Sequence, residues 1–583
     1  MKKTWNLKLL YSSPKDPHIE KDVRSIEGAC QRFAHTYRKR TDYLTDAGKL
    51  YTALRVYERL YEETAGSKPL MYFWYVKEVD SSNAYAEAMI NKITDRLTKA
   101  HNKILFFDLS LGRIDIKKQK QFLKSKKLAK YRYFLKKVFE ESKYDLTEKE
   151  EKVLNLKSMP SHSLWVSGVE KALNAKQVSF KGKDIPIAEA MNKVSTLTSV
   201  KERRVLSNNV MKSLYSMSDF SESEMNAVYI DKKIDDELRG FKKPYSATIL
   251  GYGNSEKSVL NLVGSVSNSF SLSRRFYTLK KKLLKLDHLE YADRIAHAGS
   301  IRKTIPFAEA LDIVRTVFYG VDTKYGEILD SFVQRGQIDV YSEKGKSSGA
   351  FCSGSIGLPT FVLLNHVNDI NSVLTLGHEM GHAVHTERSK EERPLYQHYS
   401  IATAETASTF FETLVFEHIF SSLSEKEQVV ALHDKIQEDI QTIFRQIAFF
   451  NFELELHNLI RSRGSLPKEE IAVLLNKHMK AYLGPAFKLH EKDGYFFVAV
   501  SHFRRFFYVY SYAYGQLVSK ELYRRYKEDN GFSANIDQFL TSGGNDSPEN
   551  IFKHIGVDTT RKGFFESGLA EIESDIRKLE KRI

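Results

Sequence analysis

Cysteine is almost missing from this chain: two in 583 residues, Cys30 and Cys352, set far apart. No disulfide framework follows, neither has the spacing of a metal-ligating pair, and a reducing compartment suits the sequence. Proline (12) and glycine (30) are sparse as well, so stretches rich in Leu, Lys, Glu and Ala run long without a breaker. Pro-rich and Gly/Ser-rich linkers are absent, as are internal repeats of solenoid period. No apolar run approaches the roughly 20 residues needed to span a bilayer. The opening Met1, Lys2, Lys3 leads into a stretch broken by Asn6 and Lys8 and then by Ser12, Ser13 and Pro14, too short and polar for a signal sequence. A cytoplasmic, mostly α protein with no membrane partner is expected.

What the chain has in quantity is charge, with a net +15 at pH 7. That sign raises nucleic acid or an anionic surface as a partner, and the pattern argues against both. The 89 Lys and Arg are interleaved with 74 Asp and Glu. The cluster Lys117, Lys118, Lys120, Lys124, Lys126, Lys127 alternates with apolar residues at helical spacing, as do Arg274, Arg275, Lys280, Lys281 and Lys282 beside Phe276, Leu279, Leu283 and Leu284. Both read as solvated helix faces, and no nucleic-acid partner is expected.

At this length two or three lobes are expected, with 42% hydrophobic content ample for a large core. Residues 1–115 read as a helical lobe, with a stripe of Ala53, Val56, Tyr57, Leu60 and Tyr61 recurring at three- and four-residue intervals. Residues 116–200 are Lys-rich and amphipathic, with a turn at Met159, Pro160, Ser161, His162 and Ser163. Residues 201–583 carry everything that resembles chemistry.

The informative passage starts at a strand, Pro359 to Leu364, and a polar turn with Asn365, Asn368 and Asp369. A helix capped by Asn368, Asp369 or Asn371 follows, with Val373, Leu374, Leu376, Met380 and Val384 as its apolar contacts. On it His378 and His382 are four residues apart, so both rings project from one face and reach a single metal ion. Glu379 is offset around the helix, as suits a base that must touch an activated water without being a ligand. A bare His-Glu-x-x-His match arises by chance in roughly a few per cent of such chains, so context must carry the rest.

A catalytic zinc usually keeps three protein ligands and an open position. The metzincin extension is excluded, because positions 385 and 388 hold His385 and Arg388 instead of glycine and histidine. Glu405, 27 positions after His378 and flanked by Ala402, Ala404, Thr406 and Ala407, sits where a second helix returns. Small residues there let the two helices approach. His385, on the same stripe as His378, is a rival third ligand, harder to reconcile with a tetrahedral site. Glu412, two turns beyond Glu405, suits a carboxylate that orients a ligand histidine, with Ser408 and Thr409 as alternatives.

Leu376 to His385 followed by Ala404 to Ser408 resembles the oligoendopeptidase F branch of the thimet oligopeptidase family of zinc peptidases. Ile443 to Gln446, then Phe452, Glu453, Leu456 and His457, resemble the next helix of that family. Ser501, His502, Phe503 and Phe507 to Tyr510 resemble its substrate-facing segment, Gly543 to Pro548 its C-terminal loop, and Trp5, Asn6, Leu7 with Asp16 and Pro17 its N-terminus. Arg504 and Arg505 stand where aromatic residues are expected, Ser501 where proline is usual, and Tyr514 is an extra candidate, so the tyrosine register is open.

The resemblance implies a multi-lobed helical ellipsoid with a deep channel admitting oligopeptides, and a small sheet beside the zinc helix. Residues 116–200 would be the oligopeptidase N-terminal region. One Zn2+ would be held by His378, His382 and Glu405, with Glu379 activating water. His502, Tyr510 and Tyr512 would line the opposite wall, Tyr508 being a close alternative. The strand 359–364, with Gly349 and Ala350 just upstream, offers an edge for pairing with an extended peptide. The expected activity is internal cleavage of short oligopeptides. A zinc exopeptidase of metallocarboxypeptidase type is the alternative, and a non-catalytic basic scaffold would make the whole constellation a coincidence. The sequence leaves the oligomeric state open.

Overall fold

The computed structural model describes residues 2–65, 67–301 and 303–583, with Met1 outside them. Among the described residues five short strands punctuate an otherwise helical fold: β1 (Gln177–Phe180), β2 (Lys183–Pro186), β3 (Ile338–Asp339), β4 (Phe351–Ser353) and β5 (Phe361–Leu363). Among its helices are α1 (Pro17–Tyr37), α2 (Ala47–Ala65), α3 (Ile370–Ser389), α4 (Ile401–Phe420), α5 (Arg445–Arg463) and α6 (Tyr510–Glu528). The chain forms two compact units. The first gathers Met1–Lys152, Lys303–Ile419 and Leu522–Val557; the second gathers Val153–Arg302, Phe420–Glu521 and Asp558–Ile583. No helix among the described residues is long and apolar enough to cross a membrane.

In the first unit, α1 begins where the Asp16 carboxylate accepts the His18 N–H at 2.9 Å, with Pro17 in the first turn. Its stripe Ile19, Val23, Ile26, Cys30, Phe33 and Tyr37 is buried. Cys30, Phe33 and Tyr37 share a core with Leu50, Ala53, Leu54, Tyr57 and Leu60 of α2. The expected α2 stripe is thus right at Ala53, Tyr57 and Leu60, whereas Val56 is 43% exposed, because Leu50 and Leu54 rotate the buried face away from it. The sheet runs in the order β3-β5-β4, with β3 parallel and β4 antiparallel to β5. Trp5 pins the N-terminal segment beneath it: its indole N–H donates to Val362 O at 2.8 Å and its ring packs edge-on against Tyr75 and Phe361.

The sheet order corrects the edge expected from sequence. β5, the predicted strand, is the inner one, and both its sides are taken. The edge belongs to β4, which Gly349 and Ala350 immediately precede.

Within the second unit, β1 and β2 form a hairpin that the Lys-rich composition concealed. Lys181 (φ 51°) and Gly182 (φ 74°) make its two-residue turn in the left-handed region that matches strand twist. No break occurs at Met159–Ser163: the chain continues there as one wide helical turn, the Leu164 N–H reaching back to Met159 O. Lys280 is likewise no surface residue. It is fully buried, donating to Arg294 O at 2.8 Å and to Gln437 Oε1. α5 is buried nearly all round, from Gln446 through Phe449, Phe450, Phe452, Glu453 and His457 to Ile460, and so lies in the core of this unit.

Candidate active site

Of the three capping candidates the fold uses Asp369, whose carboxylate accepts the Ser372 N–H at 2.8 Å and the Ser372 hydroxyl at 2.7 Å. Asn368 turns the chain into α3 with φ 61°. One face of α3 then presents His378 and His382, their ring centroids 4.9 Å apart and nearly perpendicular. Glu405 arrives from α4, and the ligand atoms of His378, His382 and Glu405 all lie within 4.8 Å of one another.

Two glycines of α3 permit this approach. A Cβ on Gly381 would stand 2.8 Å from the Ser408 Cα, and one on Gly377 would stand 2.9 Å from Val415 Cγ2. Glycine inside a helix costs about 1 kcal/mol relative to alanine, so the pair marks a crossing where bare backbone is required. Small residues flank Glu405 as expected, and the tighter constraint sits on the motif helix itself.

The partner of His378 is Glu412, whose Oε2 lies 2.8 Å from Nδ1. That bond leaves Nε2 turned toward Glu405, 3.8 Å away. Ser408 and Thr409, the alternatives, instead donate back to Glu405 O within their own helix. His385 is elsewhere. It is fully buried, stacks on Tyr399 at 3.7 Å, lies 5.1 Å from the Phe539 ring, and has no hydrogen-bond partner among the described residues. Its neighbour Arg388 anchors the end of α3 to Asp537 at 2.8 and 3.0 Å.

Glu379 is 7% exposed, and the nearby backbone N–H of Cys352 in β4 favours its charged form. Burial, with Glu405 and Glu412 adding, pushes it up to about 7 against the opposing pull of His378. Burial likewise raises Glu405 and drives His382 well below the ordinary imidazole range. For His378 burial works in the same direction but is outweighed by Glu412, Glu379 and Glu405, which bring it up to about 10. Three carboxylates around two imidazoles, with one imidazole already held by Glu412, fit one divalent metal ion.

Gly349 (φ 85°) and Ala350 lead into the β4 edge, held there as Asn365 Nδ2 donates to Ser347 O at 3.0 Å and to Gly349 O at 2.6 Å. Beside the ligands lies a cavity of about 320 Å³ lined by Cys352, Ser353, Gly354, His382, Thr386 and Tyr399, among others. The Gly543–Pro548 loop backs the segment that closes it: the Gly544 N–H donates to Tyr396 O at 2.7 Å, and a Cβ on Gly544 would fall 2.0 Å from His398 O.

In the second unit His502, Tyr508 and Tyr512 form one group, with ring centroids 5.3 to 5.9 Å apart, and the Tyr508 hydroxyl meets His502 Nδ1. Tyr510 does not join them. Tyr508, in the turn before α6, and Tyr512, in its first turn, both meet His502, while Tyr510 is fully buried, its hydroxyl donating to Asn254 Oδ1 at 3.0 Å. Tyr514 is also inward, bonded to Thr559. Arg504, the departure from the expected pattern, has a structural use: it is 4% exposed, pairs with Glu224 through Nε at 2.9 Å, and donates to Phe497 O and Val500 O. Burial, with Arg445 and Arg505 adding, brings His502 down to about 4. Between this imidazole and Tyr508 the backbone passes through Phe506 (φ 42°) and Phe507 (φ 60°), consecutive left-handed residues of a kind that costs roughly 1–2 kcal/mol each.

Comparison with known proteins agrees with this geometry. The sequence model of "Peptidase family M3" matches residues 288–571 and that of "Oligopeptidase F" matches residues 111–167. Oligopeptidase PepF of Bacillus subtilis is 26% identical over 99% of this chain and 87% of its own length. In fold, the chain resembles a peptidase from Chlamydophila abortus (TM-score 0.84, 22% identity, 100% and 98% of the two chains) and oligoendopeptidase-F from Enterococcus faecium (TM-score 0.72, 18% identity, 97% and 98%). With both family models placed along one chain, and a relative matching it from end to end, the protein belongs to peptidase family M3, in its oligoendopeptidase F branch, and is a metallo-oligoendopeptidase.

Proposed function

We propose that the chain is a zinc endopeptidase that hydrolyses internal bonds of short oligopeptides, with His378, His382 and Glu405 as ligands to one Zn2+ and Glu379 as general base. The observation that carries this is the convergence of those three ligand atoms within 4.8 Å, with Glu379 on the same helix. When bound, zinc supplies Lewis-acid chemistry: it polarises a carbonyl and lowers the pKa of water towards about 7. The remaining steps belong to the chain's own groups. The Glu379 carboxylate accepts a proton from the attacking water and returns it to the leaving amine. Glu412 holds His378 in one tautomer and ring orientation.

The β4 edge with Gly349 and Ala350 is proposed to pair with an extended peptide, which gives tolerance of sequence because the contacts are to main chain. His502 and Tyr512 are proposed as hydrogen-bond donors to the substrate, with Tyr508 fixing the ring proton of His502; Tyr510 has a packing role. The His502 imidazole is neutral near pH 7, so a Tyr508 hydroxyl donating to Nδ1 keeps the ring proton on Nε2, available for donation. A cytoplasmic setting is supported by two free cysteines, Cys30 and Cys352, in a chain of this length.

The test is cleavage of an internally quenched peptide of about ten residues with blocked ends, with and without a chelator, products read by mass spectrometry. Internal cuts abolished by chelation and restored by zinc are expected. Intact blocked peptide beside end-trimming of a free one would transfer the chain to the exopeptidases.

A further inference from the structure

The Phe506–Phe507 turn raises the question of what holds it. Two consecutive non-glycine residues persist in the left-handed region only where their surroundings over-determine them. Here the surroundings are specific. The Phe507 N–H donates to Glu453 Oε1 at 2.9 Å in a fully buried bond, and the Thr248 hydroxyl donates to Phe506 O at 2.9 Å. His162 Nε2 lies 3.0 Å from Arg504 O. The His457 ring, one turn along α5 from Glu453, lies nearly parallel to Phe507 at 4.9 Å.

Glu453 is an expensive way to make such a contact if stability were all that mattered. It is completely buried, its Oε2 has no hydrogen-bond partner among the described residues, and no cation pairs with it. An apolar side chain of similar volume would avoid the desolvation of an unmatched carboxyl oxygen. The one bond it makes goes to the amide of a strained residue, and the next residue in the chain is Tyr508. Burial pushes the Glu453 carboxyl up to about 8, so at neutral pH it is mainly a neutral acid that an amide can replace in shape and in acceptor capacity.

We propose that Glu453 is the positioning residue for the His502–Tyr508 pair, acting through the Phe507 amide to hold the left-handed turn that sets where the Tyr508 hydroxyl meets His502. This rests on the reading that His502 donates to the substrate while Tyr508 fixes its ring proton. Glu453 fixes a backbone direction, which the following side chain converts into a hydroxyl position. Misplacement of such a group by about 1 Å is enough to cost on the order of 10- to 100-fold in rate.

The experiment compares kcat, KM and metal content for Glu453→Leu, Glu453→Gln, Tyr508→Phe and the double variant Glu453→Leu/Tyr508→Phe, using the blocked peptide. Glu453→Leu is expected to lose roughly 10-fold in kcat with KM and bound metal little changed. Glu453→Gln, which keeps the acceptor, is expected within about twofold of the wild type. Tyr508→Phe should lose on the order of 100-fold, and the double variant should be no slower than Tyr508→Phe alone, since both act through one hydroxyl. Glu453→Leu at the wild-type rate beside a slow Tyr508→Phe would overturn the assignment of Glu453 while leaving the donor reading intact, as would Leu and Gln variants that are equally slow. Tyr508→Phe at the wild-type rate would overturn the donor reading itself. Should Glu453→Leu fail to fold, Thr248→Val loosens the same turn from its other side and is expected to lower kcat without changing metal content; full activity there counts against the proposal.

Discussion

His378, Glu379, His382 and Glu405 each have a separable part, and single substitutions should separate them. Glu379→Gln keeps the shape of the side chain and leaves the three ligands alone, so it is expected to bind one metal per chain while losing roughly 100- to 10,000-fold in kcat. Glu405→Ala is expected to lose metal and activity together, with elemental analysis and turnover measured on the same preparation. Glu412→Gln still accepts a hydrogen bond from His378 but gives up the charge, and metal affinity by chelator competition should fall about 10- to 100-fold. The residues legible in the sequence were those whose geometry is local. A His–His spacing of four is set by helical pitch, whatever the rest of the chain does. Tyr508 and Tyr510 were not separable that way, because which one meets His502 depends on a left-handed turn that nothing in Phe506-Phe507 announces. Glu453 was visible as part of a family resemblance, yet its bond to an amide 54 positions later was not.

Between elements, the decisive quantity is the distance from α3 to α4. Gly381 is the sharpest test of it, since an added methyl meets backbone at 2.8 Å and has no side chain to push aside. Gly381→Ala is expected to destabilise the protein by about 1–3 kcal/mol in urea titrations and to weaken metal binding by moving Glu405 away from both histidines, although no ligand is altered. The helical character of the chain and the strand before α3 followed from composition and apolar spacing. The strand order did not, because β4 is three residues long and becomes an edge only through pairing with β5. The β1–β2 hairpin escaped for a related reason: its turn, Lys181-Gly182, sits in a Lys-rich stretch whose average is helical.

On the scale of the whole molecule, stability in acid should depend on a buried anion and its lysines. Burial alone would raise Asp575, which is 4% exposed, but Lys435, Lys520 and Lys578 outweigh it and bring the carboxyl down to about 2. A folded pKa below the unfolded value of 3.8 contributes stability that is complete above about pH 4 and is lost as the pH falls towards 2. The contribution is about 2 kcal/mol. Asp575→Asn should therefore unfold at lower urea concentration at pH 7, with the gap to the wild type closing between pH 4 and pH 2; a gap independent of pH would show that the lost shape, not the charge, mattered.

The first unit is assembled from three separated stretches of chain, the last being Leu522–Val557. On the ribosome this imposes an order. The His-Glu-x-x-His helix emerges long before Asp537, which anchors its end, and before the Gly543–Gly544 loop that backs the cavity beside the ligands. A nascent chain paused after Glu405 would hold His378, His382 and Glu405 but neither Asp537 nor the Gly543–Gly544 loop. The frame that positions α3 therefore closes only once Leu522–Val557 has joined the two earlier stretches.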